Sequence, residues 1–365
     1  QRSGVSEGHP AGAESRSAEG SLLADGSSIP QFDMFQALNT ECRELELSSL
    51  ASMADHPLRY YYKNSLGLSY TEMGAELEDS EPFSLSHLET YFLKSDIASA
   101  WNQSVSSDLS EIYTQWKLSD SLPRHPVDQF YFDDAVSALG LMQNYVLNCA
   151  ESVKHSISLR FVTNEHATNV VGELLVQTLA GKGLIELSLS KNIAGRFFGF
   201  WVKHIFWNVH CGRAHASGQE NFCGESTLVT VDTEWHLPAL NLAVAEQYAS
   251  EVLALSSIEG EAYPFLAKST FALLFEKETQ VKSAFKGVNS GEFAIKGERD
   301  DPYWQRYCQF SAVDHLKADE LPVLTESIFY KQLVNLVDQI EVKALVLPGQ
   351  ITLALEAFDQ EEPKL

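Results

Sequence analysis

The feature that most constrains this chain is a change of hydrophobic period near residue 155. Before it, apolar residues recur at helical spacing in SLSHLETYFLKSDIASAW, SSDLSEIYTQWKLS and DDAVSALGLMQNYVLNCAESVK. Beyond it, SISLRFV, NVVGELLVQTL and GLIELSLS are short, rich in Val, Ile and Leu, and read as strands, with Gly181 and Gly183 around a turn between the last two. AGRFFGFWVKHIFWNVH then has the length of a helix and places Phe197, Trp201, Ile205 and Val209 on one side at spacing four. A short strand pair over STLVTVDTEWHLP and a helix over LNLAVAEQYASEVLALSS complete the pattern. Neither an all-helical nor an all-β architecture accommodates both periods. The expected class is α/β, a mixed sheet with helical decoration preceded by a mostly helical section.

Three stretches follow from this reading. Residues 1–28 are dominated by Gly, Ser, Ala and Glu, cannot offset the entropy of ordering by apolar burial, and are expected to form a mobile linker. Starting with such a segment, and with Gln rather than Met, the chain reads as a piece of something larger. Residues 29–150 form the helical section and 151–365 the α/β domain. Within the helical section, Pro57 suits a first helical turn and Gly67 a helix stop, and the triplet Tyr60, Tyr61, Tyr62 wraps more than one helix face. Further on, Leu85, Leu88 and Phe92 predict an amphipathic stripe, with Ser84 or Ser86 as its cap.

With 44% hydrophobic residues the chain has ample material for a core. Its 26 basic against 50 acidic residues give a formal charge of −24, which repels a polyanion at long range, so nucleic-acid binding requires a local basic surface. Cys42, Cys149, Cys211, Cys223 and Cys308 are odd in number and scattered, a pattern of reduced thiols in a cytoplasmic protein. No apolar run approaches the roughly 20 residues of a spanning helix.

Two constellations carry possible chemistry. Two-metal nucleases hold carboxylates around paired cations and use a Lys near the attacking water, often with acid and Lys two residues apart on one strand. Glu173 and Glu186 stand in plausible acid positions, but Ser188 occupies the place of the Lys. Lys191, five residues past Glu186, falls on the opposite face of a strand. Whether the two acids share a face depends on a pairing register that local sequence leaves open. The second constellation, His204, His210, Cys211, His215 and Cys223, offers zinc-type ligands without the paired spacing of a zinc motif, and an aromatic core with a solvated loop accounts for it better. No P-loop, dinucleotide fingerprint, nucleophile elbow or HExxH occurs, and no cofactor is expected. Basic residues worth naming are Arg59 and Lys63, four apart, and Lys277, Lys282, Lys286 and Lys296, which either solubilise helices or line a DNA path. Tyr and Trp supply large contact area at interfaces, so Arg59, Tyr61, Arg299, Trp304 and Arg306 are candidate partner contacts.

The order of four segments adds a resemblance. DHPLRYYYKNSLGL, EDSEPFSLSHLETYFLKSDIASAW, GESTLVTVDTEWHLPAL and VKSAFKGVNSGEFAIKGERDDPYWQRY together resemble the C-terminal region of the RecC family, the gamma chain of exodeoxyribonuclease V. The resemblance runs from about Ile29 to the end and is weakest between Asp128 and Asn192. It implies a fragment of a longer subunit whose partners are RecB-like and RecD-like proteins and whose assembly unwinds and digests duplex DNA ends. It further implies a degenerate PD-(D/E)xK restriction-endonuclease-like core without catalysis, which holds partners and engages DNA where the strands part. Ser188 in place of Lys is compatible with that state. Two other readings stand beside it: an active metal-dependent exonuclease, and a protein-binding adaptor without DNA contact.

Overall fold

The computed structural model describes residues 42–70, 84–103, 109–142, 153–162, 167–177, 183–191, 193–218, 222–257, 263–276, 278–290, 293–310 and 322–345. The expected linker, 1–28, lies outside them. The sheet begins earlier than the strand-like period suggests. Strand β1 (Cys42–Glu46) pairs in parallel with the first half of β3 (Ala167–Gln177), so the stretch read as helical contributes a strand. Its pattern, CRELE, is too short and too polar to announce itself.

Three strands appear where the period-two segments predict them. β2 (Val153–Val162) runs antiparallel to β3 over ten paired positions, and β3 meets β4 (Gly183–Leu187) only at its far end, through Val176↔Leu184 and Gln177↔Gly183. Gly183 has φ +66°, in the left-handed region that glycine adopts without strain, and is the first residue of β4. β4 continues in parallel to β5 (Ser226–Val229), and β5 in antiparallel to β6 (Thr233–Leu237). The outer strand β9 (Glu341–Ala344) closes the order against β6.

Helices cover both faces of the sheet. On one face lie α1 (Leu47–Asp55), the long α6 (Phe197–Ala216) and α7 (Leu242–Ser257), with α8 (Ala267–Phe275) and the short α12 (Ile328–Leu333) behind them. Helix α6 is apolar all round, and Phe197, Phe198, Trp201, Ile205, Phe206, Trp207 and Val209 are all buried, the expected stripe among them. Such a helix is stable only inside a protein, and here it is sandwiched between sheet and helices. On the opposite face α3 (His87–Gln103), α4 (Leu109–Leu118) and α5 (Val127–Gly140) form a second core against Ile185, Val229 and Val231.

Helix α3 starts with the expected cap. Ser86 Oγ accepts from the Glu89 amide at 3.2 Å while Glu89 Oε2 accepts from the Ser86 amide at 2.7 Å, a reciprocal capping box. Its buried row differs from the expected one. Leu93, Ile97 and Trp101 enter the core, whereas Leu88 and Phe92 are 63% and 49% exposed. The two rows are offset by one residue, roughly 100° around the helix, and contact with α5 and the sheet selects between them.

A third cluster joins α2 (Pro57–Asn64), α9 (Glu278–Lys286) and α10 (Pro302–Phe310) through Leu58, Tyr62, Val281, Phe285, Tyr303 and Trp304. Pro57 stands in the first turn of α2 and Gly67, with φ +66°, follows its end, both as the spacing predicts. The hairpin β7 (Gly287–Ser290) and β8 (Phe293–Lys296) follows α9 directly.

The polar groups inside α6 are bonded into the core. Asn208 donates to the Gly224 carbonyl at 2.9 Å and accepts from the Leu240 amide at 2.8 Å, tying the segments that flank β5 and β6 to the helix. His204 Nδ1 lies 2.6 Å from Ser226 Oγ, and burial lowers its pKa to about 3. Asn208→Ala strips a buried side-chain partner from two half-buried backbone groups at once. The expected loss is about 2–4 kcal/mol of stability, measured by urea unfolding with the slope unchanged.

Candidate functional site

The register settles the relation between the two candidate acids. Because Val176 faces Leu184, Glu186 shares its side of the sheet with Leu174 and Val176, and Glu173 points to the other side. Glu173 is 65% exposed and lies 4.0 Å from Lys154 Nζ. Lys191 is exposed near Lys94 of α3, whose pKa is lowered chiefly by burial, with Asp134 opposing the shift and Lys191 adding to it. Ser188 is buried. Its amide donates to the Val229 carbonyl at 2.7 Å, and its hydroxyl has no hydrogen-bond partner among the described residues.

Glu186 has a different lysine. Lys203, on α6, places Nζ 2.7 Å from Glu186 Oε2, both side chains about a quarter exposed. The sequence carries a signal for it: Lys203 is the lone Lys or Arg between Arg196 and Arg213 in an otherwise apolar helix, and such a charge needs a partner. Asp55, the last residue of α1, joins the same cluster. Its Oδ1 accepts from the Gly199 amide at 2.6 Å in the first turn of α6. A Cβ at position 199 would meet the Asp55 carboxylate at 2.5 Å, so glycine is what lets the acid reach the helix end. Burial raises the Asp55 pKa to about 7, opposed by the Gly199 hydrogen bond; Glu186 pushes further upward while Lys203 and Arg196 pull down.

Asp55 also borders a cleft of about 660 Å³ between α2, the start of α6, the start of α8 and the 3-10 turn Glu298–Asp300. Three helix N-termini meet here, each capped by a carboxylate. Asp55 serves α6. Glu298 accepts from the Lys268 and Ser269 amides at 2.8 and 2.9 Å and from Ser269 Oγ at 2.6 Å, serving α8. Asp301 accepts from the Tyr303 and Trp304 amides at 2.9 and 3.0 Å, serving α10, and lies 3.0 Å from His56 Nε2. Despite these bonds burial keeps the Glu298 pKa raised, whereas the His56 and backbone contacts outweigh burial at Asp301 and lower its pKa.

The other sequence candidates are dispersed. His204 is in the core, and His210 Nε2 lies 2.8 Å from His155 Nε2. Cys211 is buried, which pushes its thiol up to about 12, and its Sγ lies 3.9 Å from the Cys223 carbonyl. Among the described residues no group of three or more His, Cys, Asp and Glu is placed to hold a metal ion. Lys277 lies outside the described residues. Lys282 and Lys286 are exposed one turn apart on α9, and the hairpin register sets Lys296 opposite Gly287, beside Lys286. Arg59 and Arg306 are exposed, and Arg299 lies 3.6 Å from Asp300. Trp304 is only 3% exposed: α10 must bury an apolar side against α2 and α9, and Trp304 and Tyr303 supply it.

Comparison with known proteins places these features in a family. The family of the RecC C-terminal domain matches residues 42–276. The chain is 22% identical over 296 residues to the RecBCD enzyme subunit RecC of Buchnera aphidicola, covering 76% of this chain and 26% of that protein. It is 23% identical over 277 residues to the RecBCD enzyme subunit RecC of Escherichia coli K12, covering 71% and 23%. The chain thus spans about a quarter of the length of the curated relatives it matches. Among the described residues no helix is long and apolar enough to cross a membrane.

The raised pKa of Asp55 gives a pH signature. Between its ordinary value of 3.8 and about 7 the folded chain keeps a proton that the unfolded chain has lost. The stability that proton confers is fully present below 3.8 and disappears as pH rises to 7. Asp55→Asn keeps an acceptor for Gly199 and removes the titration. Measured by denaturant unfolding at pH 4.5 and pH 8, the variant is expected to gain about 1–3 kcal/mol on the parent across the window.

Proposed function

The chain belongs to the RecC C-terminal domain family, and from that premise we propose that it is the non-catalytic scaffold and DNA-engaging region of a RecBCD-type helicase-nuclease. In this reading it acts in the cytoplasm. It holds RecB-like and RecD-like subunits against a duplex end during double-strand-break repair, and its α/β core is a degenerate PD-(D/E)xK fold. The observation that carries the non-catalytic part is the Glu186–Lys203 pair. One oxygen of the carboxylate best placed to bind a cation is taken by an ammonium group at 2.7 Å, and Glu173 lies across the sheet from it. Exposed Lys282, Lys286 and Lys296 form a short basic run for phosphate contact, while exposed Arg59 and the half-buried Tyr61 on α2 are the proposed contacts with a partner subunit.

One observation favours the alternative of an active exonuclease. Asp55, Glu186 and Lys203 bring two carboxylates and a lysine into one cluster, the residue types a metal-dependent nuclease uses. An assay on linear duplex and single-stranded DNA with Mg²⁺ or Mn²⁺ separates the two. No cleavage above that of a Glu186→Gln preparation is expected. Metal-dependent cleavage by the parent that vanishes in Glu186→Gln and Lys203→Ala would establish the active reading instead.

In the assembled complex, Lys282→Gln, Lys286→Gln and Lys296→Gln together should weaken binding to a forked end at every sequence. They should also reduce the slope of log affinity against log salt by up to about three. An unchanged slope would favour an adaptor that touches protein alone.

A further inference from the structure

The cleft bordered by Asp55 has an unusual charge balance for a chain of formal charge −24. Its four acids are already engaged: Asp55, Glu298 and Asp301 cap helix N-termini, and Asp300 lies beside Arg299. Each cap sets a carboxylate against the positive end of a helix dipole, which cancels much of the negative potential the acids would give the cleft. Three of the five lining cations are not so occupied. Arg59, Lys63 and Lys268 form no side-chain hydrogen bond or ion pair with another described residue. Arg196, at the start of α6, has its guanidinium over the Tyr91 ring, a contact that leaves its donors available.

We infer that this cleft binds a phosphate group, with Arg59, Lys63 and Lys268 supplying the countercharge. Arg59 and Lys63 stand four residues apart on one face of α2, and Lys268 approaches from α8. A planar carboxylate is satisfied by one guanidinium. A tetrahedral phosphate, with three or four oxygens and up to two charges, accepts from several directions at once and matches cations on separate elements. Cationic side chains held near one another without partners repel, and a bound dianion removes that cost. A volume of about 660 Å³ accommodates a nucleotide-sized ligand, so the phosphate can come from a free nucleotide or from a nucleic-acid strand. The inference concerns the cleft alone and holds whether or not the chain also serves as a helicase-nuclease scaffold.

Titration calorimetry on the full chain, with inorganic pyrophosphate, AMP, and a short oligonucleotide with or without a 5′-phosphate, tests it. Pyrophosphate should bind the parent, and Arg59→Gln with Lys63→Gln should weaken it about tenfold or more, since each removes a charge-assisted hydrogen bond. Lys268→Gln, on a different helix, should weaken it independently. Lys331→Gln, exposed on α12, should not, and unchanged thermal unfolding of the double variant guards against a folding defect. AMP binding as tightly as the oligonucleotides assigns the site to a free nucleotide. Preference for the 5′-phosphorylated strand assigns it to a strand end, and equal binding of both strands to an internal phosphate. Pyrophosphate binding that is absent from the parent, or equal in the parent and the folded double variant, would overturn the inference. So would a Glu- and Asp-rich peptide that binds where pyrophosphate does not.

Discussion

Helix α6 carries apolar side chains on every face, and the fold is arranged around the need to keep all of them from water. A surface helix can leave one side polar; this one cannot. The sheet covers one side through Leu174, Val176 and Leu184, and α1 and α7 cover others, with Phe265, Phe271 and Phe329 closing around the aromatic start of the helix. Burial of most of the helix creates a second requirement, because polar groups within its buried part must find protein partners. Asn208 and His204 meet it in the interior, Trp201 Nε1 donates to Gln332 Oε1 at 2.9 Å, and Asp55 meets it at the first turn.

The Asp55 cap belongs to a repeated solution. At α6, α8 and α10 the amides of the first turn receive a carboxylate, twice from a residue remote in sequence, and the three ends gather at one cleft. Negative charge that would otherwise face solvent is thereby spent inside the structure. The cleft keeps its cations while the molecule as a whole is strongly acidic. Net charge therefore describes long-range repulsion well and this local surface poorly.

The Glu186–Lys203 pair is the local feature on which the proposed non-catalytic reading rests. An ammonium group 2.7 Å from a carboxylate occupies space and charge that a divalent cation would need, and it removes the cost of a lone charge against a hydrophobic helix. The pair stabilises the packing of α6 on β4.

Local patterns sufficed for much of the architecture. Period-two segments place β2, β3 and β4, the all-apolar run places α6, and Pro57, Gly67 and Ser86 mark helix ends, because backbone preference and hydrophobic spacing act over a few residues. The lone lysine in α6 could be read as needing an acid, but not which one. Tertiary structure decided that the partner is Glu186, that Glu173 faces away, that α3 buries Leu93 and Ile97 rather than Leu88 and Phe92, and that Trp304 is interior. It also brought Asp55 to Gly199, 144 positions along the chain, and Glu298 to Ser269. Strand register and contacts of this kind depend on how whole layers close over one another, and a one-residue slip in either would exchange inside for outside without altering any local pattern.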